Sequence, residues 1–131
     1  MKGWRGLMLA AMLLLPAAAR AQAGADADYH LGLAYRNGDG VPRDPAAALR
    51  CLRSAAAGGV APAMFILAHM LAEGEGAARD AVAARRWLDA AAQAEYPEAL
   101  QELAMEERDP VRAAELLRLA GHAMQHRAQE R

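Results

Sequence analysis

A pattern of residues that recurs at a fixed spacing constrains the fold more than any other feature of this chain. Residues 31–44 read Leu-Gly-Leu-Ala-Tyr-Arg-Asn-Gly-Asp-Gly-Val-Pro-Arg-Asp, and a weaker copy begins 36 residues later, at Leu67. The copy keeps both loop glycines, as Gly74 and Gly76, and the aspartate that follows them, as Asp80. A constant period in this range is typical of solenoids, in which one supersecondary unit is repeated and stacked.

Each copy predicts two helices that are joined by a glycine turn. Asp44 and Asp80 are favoured N-caps for the second helix of their units, and the loop glycines allow the positive φ of a tight turn. Gly32 lies inside the first helix, where glycine costs about 1 kcal/mol relative to alanine, so we expect a close helix–helix contact there. The predicted apolar faces are Ala27, Leu31, Ala34 and Tyr35; then Ala48, Leu49, Leu52, Ala55 and Ala56; and, in the second unit, Ala84, Trp87, Leu88, Ala91 and Ala92.

A third, abbreviated unit begins near Pro97. It has no glycine turn, and its Asp109-Pro110 pair comes seven residues earlier than the spacing of Asp80 predicts. Beyond that pair the match resumes, with Leu117 at the place of Leu88. Terminal units of a solenoid are atypical because one of their sides meets water. We expect the polar stretch after residue 121 to be a frayed helix end.

The composition supports an all-α fold. Hydrophobic residues make up 55% of the chain but aromatic residues only 5%, so alanine supplies much of the apolar content. Alanine favours helix and lets helices approach closely, and no run rich in Val, Ile, Thr and aromatics alternates with period two. We predict an α/α solenoid of about three helix-turn-helix repeats (six helices), with units at about 27–62, 63–98 and 99–127.

The first residues have the three parts of a secretory signal peptide. Lys2 and Arg5 give a positive start, residues 7–19 form an apolar run of 13, and Ala21-Gln22-Ala23 is a small-x-small cleavage pattern. The run is shorter than the ~20 residues that a membrane span needs. We predict a signal peptide over 1–23, cleaved after Ala23 or alternatively after Ala21, and a periplasmic or secreted location at the bacterial cell envelope. An uncleaved anchor helix is the other interpretation.

Removal of residues 1–23 leaves a mature domain over 24–131 with no stable membrane anchoring. We expect a frayed tail at 24–26, followed by a first helix from about Ala27 to Arg36. The mature chain has 12 basic and 16 acidic residues, a net charge of −4, which argues against a nucleic-acid partner.

Cys51 is the single cysteine. It has no internal disulfide partner, and its place in an apolar helical pattern favours a buried thiol that acts as a small hydrophobe.

The first unit resembles one particular repeat family. The residues that carry the resemblance are Ala27-x-x-x-Leu31-Gly32-x-x-Tyr35-x-x-Gly38-x-Gly40-Val41-x-x-Asp44-x-x-x-Ala48, followed by Ala55-Ala56 and Gly59. This pattern resembles the Sel-like repeat (SLR) family of tetratricopeptide-related α/α solenoids, over about 100 residues. The second unit departs from it at Leu71, Ala77 and Glu95, where the family has tyrosine, valine and glycine.

The resemblance implies a protein–protein interaction module rather than an enzyme, with a protein or peptide partner and no cofactor. In such stacks the first helix of each unit lines the concave face, and the period sets up two columns of candidate binding residues: His30, Ile66 and Glu102, and Leu33, His69 and Met105. The alternative is that several of them pack between adjacent helices.

No recognisable constellation of catalytic residues is present. The Asn37–Gly40 turn lacks the lysine of a phosphate-binding loop and the oxygen ligands of a calcium loop. His122 and His126 lie four residues apart, but two ligands make a weak metal site, and a solvated helix end is the simpler interpretation. The remaining alternatives to an adaptor are a small-ligand-binding or hydrolytic envelope protein, of the kind found in the cysteine-rich Sel-like subgroup, and a chain that associates with itself.

Overall fold

The computed structural model describes residues 16–131, and it contains helices and no strand over that range. The helices are α1 (Ala17–Asn37), α2 (Pro45–Ala57), α3 (Ala61–Glu73), α4 (Ala81–Gln93), α5 (Pro97–Glu106) and α6 (Pro110–Gln129). The main contacts join each helix to the next one along the chain. The predicted all-α solenoid of six helices is therefore confirmed. None of the helices in 16–131 is long and apolar enough to cross a membrane.

Capping residues fix where the helices begin. The Asp44 carboxylate accepts a hydrogen bond from the backbone N–H of Ala47 at 3.1 Å, and Asp80 accepts one from Ala83 at 2.9 Å. Gly38 and Gly74 end α1 and α3 in the left-handed conformation. The starts of α2 and α4 and the ends of α1 and α3 therefore follow directly from residues that the chain repeats.

The predicted close contact at Gly32 is confirmed. A Cβ atom at this position would lie 2.8 Å from Cγ of Leu52 and 3.3 Å from Cβ of Cys51, both on α2. Ala68 occupies the equivalent position in α3 and is buried. A small residue is therefore required where the two helices of a unit cross.

The core is apolar and centred on the middle of the stack. Leu52, Leu67 and Met70 are the largest side chains without solvent contact, and no polar or charged residue within 16–131 is buried. The predicted apolar face of α2 is buried in full, and Trp87 of α4 packs against the buried residues on both sides of it. Stability therefore rests on many small alanine and leucine contacts, since hydrophobic stabilisation follows the apolar area removed from water.

Two expectations for the N-terminal unit were wrong. Residues 24–26 are not frayed, because α1 already begins at Ala17, and Ala25 is buried against the end of α2 near Gly58. The face predicted from Ala27 and Leu31 is not covered: Leu31 is 42% exposed, whereas Leu67, its equivalent in α3, is 0% exposed. Leu67 lies between two units, whereas no unit within the described range precedes α1. Most of the predicted signal peptide, residues 1–15, lies outside the described residues.

The C-terminal unit also differs from expectation. α6 continues as helix to Gln129 and is not frayed after residue 121, because Arg127 forms three hydrogen bonds, at 3.0 and 3.1 Å, with the carboxylate of Glu98 on α5. Leu117 is 53% exposed although its counterpart Leu88 is only 6% exposed. Within residues 16–131 no helix packs over Leu117 from beyond α6.

Candidate functional site

Of the six candidate binding residues, the structure joins two. Nε2 of His69 on α3 lies 2.9 Å from Oε2 of Glu102 on α5, and the His69 and Phe65 rings form a T-shaped pair. Ile66 packs against the buried core. Leu33 is half-buried, His30 is exposed, and Met105 is 84% exposed. Packing therefore accounts for Ile66, while His69 and Glu102 meet in a groove between the second and third units.

This unit 2–3 groove encloses about 230 Å³ between α3, α4 and α5. It contains a second ion pair, in which Nη1 of Arg85 lies 2.8 Å from Oε2 of Glu106, and Nε of Arg85 also contacts Asp89 at 3.0 Å. The lining residues are Ala68, His69, Ala72, Ala81, Ala84, Arg85, Leu88, Glu102 and Glu106. Its charged groups are half-exposed or exposed, so they can exchange partners without a large desolvation penalty.

The equivalent positions between the first and second units are apolar. Leu49, Ile66 and Met70 occupy the places that Arg85, Glu102 and Glu106 take one repeat later, and Leu33 occupies the place of His69. Leu49 and Met70 are buried in the core, and Ile66 packs against them. The same backbone positions thus seal one junction and place charged side chains along an open groove in the other.

The missing glycine turn explains why the second junction stays open. The turn after α3 lies against the start of α2: the backbone of Gly76 approaches the carbonyl oxygen of Pro45 so closely that a side chain would clash. The Glu75 carboxylate of that turn accepts a hydrogen bond from Nη2 of Arg36 at 3.1 Å and forms an ion pair with Nη2 of Arg43 at 3.6 Å. α5 and α6 are connected by residues 107–109 alone. The corresponding start of α4 therefore has no turn over it, and Ala81 is exposed.

A second concave region, here called the terminal cleft, was not found by the sequence analysis. It measures about 500 Å³. The lining residues are Tyr29, Pro62, Ala94, Glu95, Tyr96, Pro97, Ala123, His126, Arg127 and Glu130. It brings α1 and the C-terminal part of α6 together with the start of α3 and the loop that precedes α5. Tyr29 and Tyr96 do not share a position in the repeat, and the cleft depends on an α6 longer than expected, so periodicity gave no indication of it.

Charge and burial shape the side of the terminal cleft formed by α5 and α6. Burial works to raise the pKa of the Glu98 carboxyl, but hydrogen bonds from Arg127 and from its own backbone N–H outweigh it and lower that pKa. Burial, with the nearby Glu98 carboxylate, raises the pKa of the Tyr96 phenol. The Arg127 guanidinium lies 5.5 Å from the centre of the Tyr96 ring. At neutral pH this side therefore presents a neutral phenol and a compensated ion pair.

The described residues offer no developed metal site. Nε2 of His122 lies 3.1 Å from Nε2 of His126, both exposed, and no group of three or more His, Cys, Asp or Glu side chains within 16–131 is arranged to hold an ion. Cys51 is half-buried; burial, reinforced by Asp28, raises the pKa of its thiol. Since the thiolate is the reactive form, this environment favours an inert cysteine.

Comparison with known proteins identifies the family. The Sel1 repeat model matches residues 25–60, 61–96 and 98–123, which together are most of the chain. The chain therefore belongs to the Sel1 repeat family, and the resemblance recognised from its first unit is confirmed. No curated protein sequence matches it.

Solved structures of similar fold include two proteins of this kind. A Sel1 repeat protein from Oxalobacter formigenes superposes with a TM-score of 0.71 at 24% identity, over 76% of this chain and 43% of that one. A protective antigen present in uropathogenic Escherichia coli strains and displaying an SLR fold superposes with a TM-score of 0.67 at 32% identity, over 75% of this chain and 22% of that one. This chain thus spans less than half the length of either protein.

Proposed function

We propose that this chain is an exported protein–protein interaction module that binds a segment of a partner protein in the unit 2–3 groove. The observation that carries the proposal is the change at equivalent positions: Leu49, Ile66 and Met70 seal one junction, whereas Arg85, Glu102 and Glu106 line the other. The Arg85–Glu106 ion pair is exposed and contributes only about 0.2–1 kcal/mol to stability, so its charged groups can contact a partner at little cost.

The form of the groove favours an extended peptide segment. In the first junction the turn of the next unit lies across the start of α2 and places Glu75 on two arginines. A partner segment would take the place of the missing turn over the start of α4, and it would form hydrogen bonds with the charged groups that the turn does not cover. Sel1 repeats commonly act as scaffolds for protein interaction, which agrees with this role.

Export is proposed from the N-terminal pattern, and the first packing contact of α1 is compatible with it. The first buried residue within the described range is Ala25, two residues beyond the predicted cleavage site at Ala23. Residues 16–24 are mostly exposed and none is buried. Cleavage at Ala23 would therefore leave the packing of α1 on α2 intact.

The binding proposal is tested by capture from the cell-envelope fraction. The full chain is expressed with a C-terminal tag in its source cells, and bound proteins are quantified for the wild type, for Glu102→Lys/Glu106→Lys, and for the matched control Glu73→Lys/Glu115→Lys, whose carboxylates lie outside the groove. We expect a partner that the wild type and the control retain equally and that the groove variant loses by about tenfold, as the loss of two charged contacts predicts. Equal retention by all three proteins, with equal helix content, would exclude the groove.

Export is tested separately by fractionation and intact-mass measurement. We expect the chain in the periplasm or medium with residues 1–23 removed, so that Gly24 is the first residue. A cytoplasmic protein of full mass would refute export while leaving the groove hypothesis intact.

A further inference from the structure

The terminal cleft carries an inference that does not depend on the unit 2–3 groove. We propose that the cleft binds the basic side chain of a protein partner, the ammonium group of a lysine or the guanidinium group of an arginine. Tyr29 and Tyr96 supply aromatic walls, and Glu95 and Glu130 supply negative charge. Aromatic faces attract cations through the ring quadrupole, and carboxylates beside them strengthen that attraction.

Glu95 is the most informative residue of the cleft. It has a φ of +56°, and no other non-glycine residue in the described part of the chain has a positive φ. Unit 1 has Gly59 at this position, with a φ of +89°. A side chain in the left-handed region is unfavourable by roughly 1 kcal/mol relative to glycine. Unit 2 therefore keeps a carboxylate where glycine would be more stable.

The backbone does not require glutamate at this position. The N–H of Glu95 donates to the carbonyl of Ala92 at 2.9 Å, and the N–H of Tyr96 donates to Ala91 at 3.0 Å. In unit 1 the N–H of Gly59 donates to Ala56 at 3.0 Å, and that of Val60 donates to Ala55 at 3.1 Å. The same helix-ending motif thus forms with glycine. Within residues 16–131 the Glu95 carboxylate makes no ion pair or hydrogen bond, so it is free for a ligand.

Neighbouring side chains, one of which also lines the cleft, hold the ring of Tyr96 in place. The ring of Tyr96 lies 5.4 Å from that of Phe65, centre to centre, and Arg127 lies over the Tyr96 ring. Tyr29 packs in part against the buried core and keeps a solvent-facing portion in the cleft. A guest cation would therefore meet rings whose orientations are already set, which lowers the entropy lost on binding.

The charge balance around the cleft favours a cation over an anion. The Arg127 guanidinium is engaged by Glu98 through three hydrogen bonds. The lining residues include the carboxylates of Glu95 and Glu130, the guanidinium of Arg127, which is paired with Glu98, and the exposed imidazole of His126. An anionic guest would compete with Glu98 for Arg127, whereas a cationic guest would complement carboxylates that are exposed.

The test is an NMR titration of the full chain with single-residue probes. The probes are acetyl-arginine amide and acetyl-lysine amide, acetyl-glutamate amide with the opposite charge, and acetyl-norleucine amide, which keeps the length of lysine without its charge. We expect the two basic probes to shift the ring signals of Tyr29 and Tyr96, with an affinity that falls as salt is raised. Binding of acetyl-glutamate amide in preference to the basic probes, or shifts from acetyl-norleucine amide alone, would overturn the proposal, as would the absence of any shift.

Two variants of Glu95 separate binding from structure. Glu95→Gln removes the charge and should weaken the basic probes about fivefold, as loss of an exposed charge pair predicts. Glu95→Gly should weaken them equally and raise Tm by about 4 °C, because it relieves the unfavourable φ. Glu115→Gln, a carboxylate outside the cleft, should change neither quantity. Unchanged binding in Glu95→Gln would overturn the proposal, and a lower Tm in Glu95→Gly would show that the carboxylate serves structure instead.

Discussion

The junction between units 1 and 2 and the junction between units 2 and 3 use equivalent positions of one repeat but different chemistry. In the first, Leu49 and Met70 are buried and a glycine turn covers the start of α2. In the second, Arg85 and Glu106 form an exposed ion pair and no turn covers the start of α4. The junction between units 2 and 3 therefore differs from the first in two ways: it lacks the turn, and it has charged residues where the first junction has apolar ones.

The difference teaches that the turn of one unit decides what the preceding unit can contain. Met70 has no solvent contact, and in the same junction the turn around Gly76 closes over Pro45. Once that turn is absent, apolar side chains at the same positions would face solvent. Charged residues at positions 85, 102 and 106 are compatible with that exposure, so a shorter loop leaves room for a binding surface.

The largest effect should come from moving the charge of the second junction into the first. Met70→Glu places a carboxylate where the side chain has no solvent contact. We expect the free energy of unfolding to fall by about 3–5 kcal/mol, because a buried charge without a partner is added to the loss of apolar packing. Urea unfolding followed by circular dichroism measures this. Met105→Glu is the control and should be neutral because Met105 is 84% exposed; a loss below about 1 kcal/mol in Met70→Glu would show that the junctions do not differ as described.

An intermediate effect should come from the ion pair between α5 and α6, the two helices of the third unit, which lacks the glycine turn. Glu98→Gln weakens the bond to Arg127 that ties α6 to α5. Since the pKa of Glu98 is lowered in the folded state, its stabilisation is present above the unfolded pKa of about 4.3 and is lost as the pH falls through the folded pKa. We expect a loss of about 0.5–1 kcal/mol at pH 7, given the exposure of the pair.

The measurement for Glu98→Gln is thermal unfolding of both proteins across the pH range. The difference between wild type and variant should shrink once the Glu98 carboxylate of the wild type becomes protonated. A difference that persists unchanged in acid would mean that the Glu98 charge is not its source. Glu115→Gln provides a comparison at an exposed position of α6.

The smallest effect should come from the reverse exchange, Glu106→Met. The Glu106 side chain is 51% exposed in its pair with Arg85, so its removal should change the free energy of unfolding by no more than about 0.5 kcal/mol. Denaturant unfolding provides the value. A loss comparable to that of Met70→Glu would mean that the second junction depends on its charges for stability, which contradicts their assignment to binding.

Local signals in the sequence were sufficient to predict the architecture. Asp44 and Asp80 mark helix starts through capping, the loop glycines mark helix ends, and Gly32 indicates a close crossing; each of these is a property of a few neighbouring residues. The candidate binding columns were less informative, because a fixed period treats every unit alike. The period assigned Ile66 and Glu102 to the same column of candidate binding residues. Ile66, however, lies in the junction that a glycine turn covers, whereas Glu102 lies in the junction without a turn.

Features that depend on the ends of the stack could not be predicted from periodicity. Leu31 and Leu117 match buried residues of other units and are exposed only because nothing in the described range packs beyond them. The terminal cleft requires Tyr29 and Tyr96 to meet across the stack, which depends on the curvature of the solenoid and on the length of α6. The sequence showed that Glu95 replaces a glycine of the repeat, but the role proposed for its carboxylate depends on the cleft that it lines.

The sparse burial of α6 has a consequence for motion. α2 buries six of its residues, whereas α6 buries only Ala120. Elements with few buried contacts open at a lower free energy than the rest of a protein, so backbone amides of α6 should exchange with deuterium well before those of α2 and α3. Because the C-terminal part of α6 forms one wall of the terminal cleft, each such opening also dismantles that wall. The cleft is therefore a site whose lifetime is set by local unfolding, and an occupant that bridges Tyr29 and α6 would be expected to slow hydrogen exchange along the whole helix.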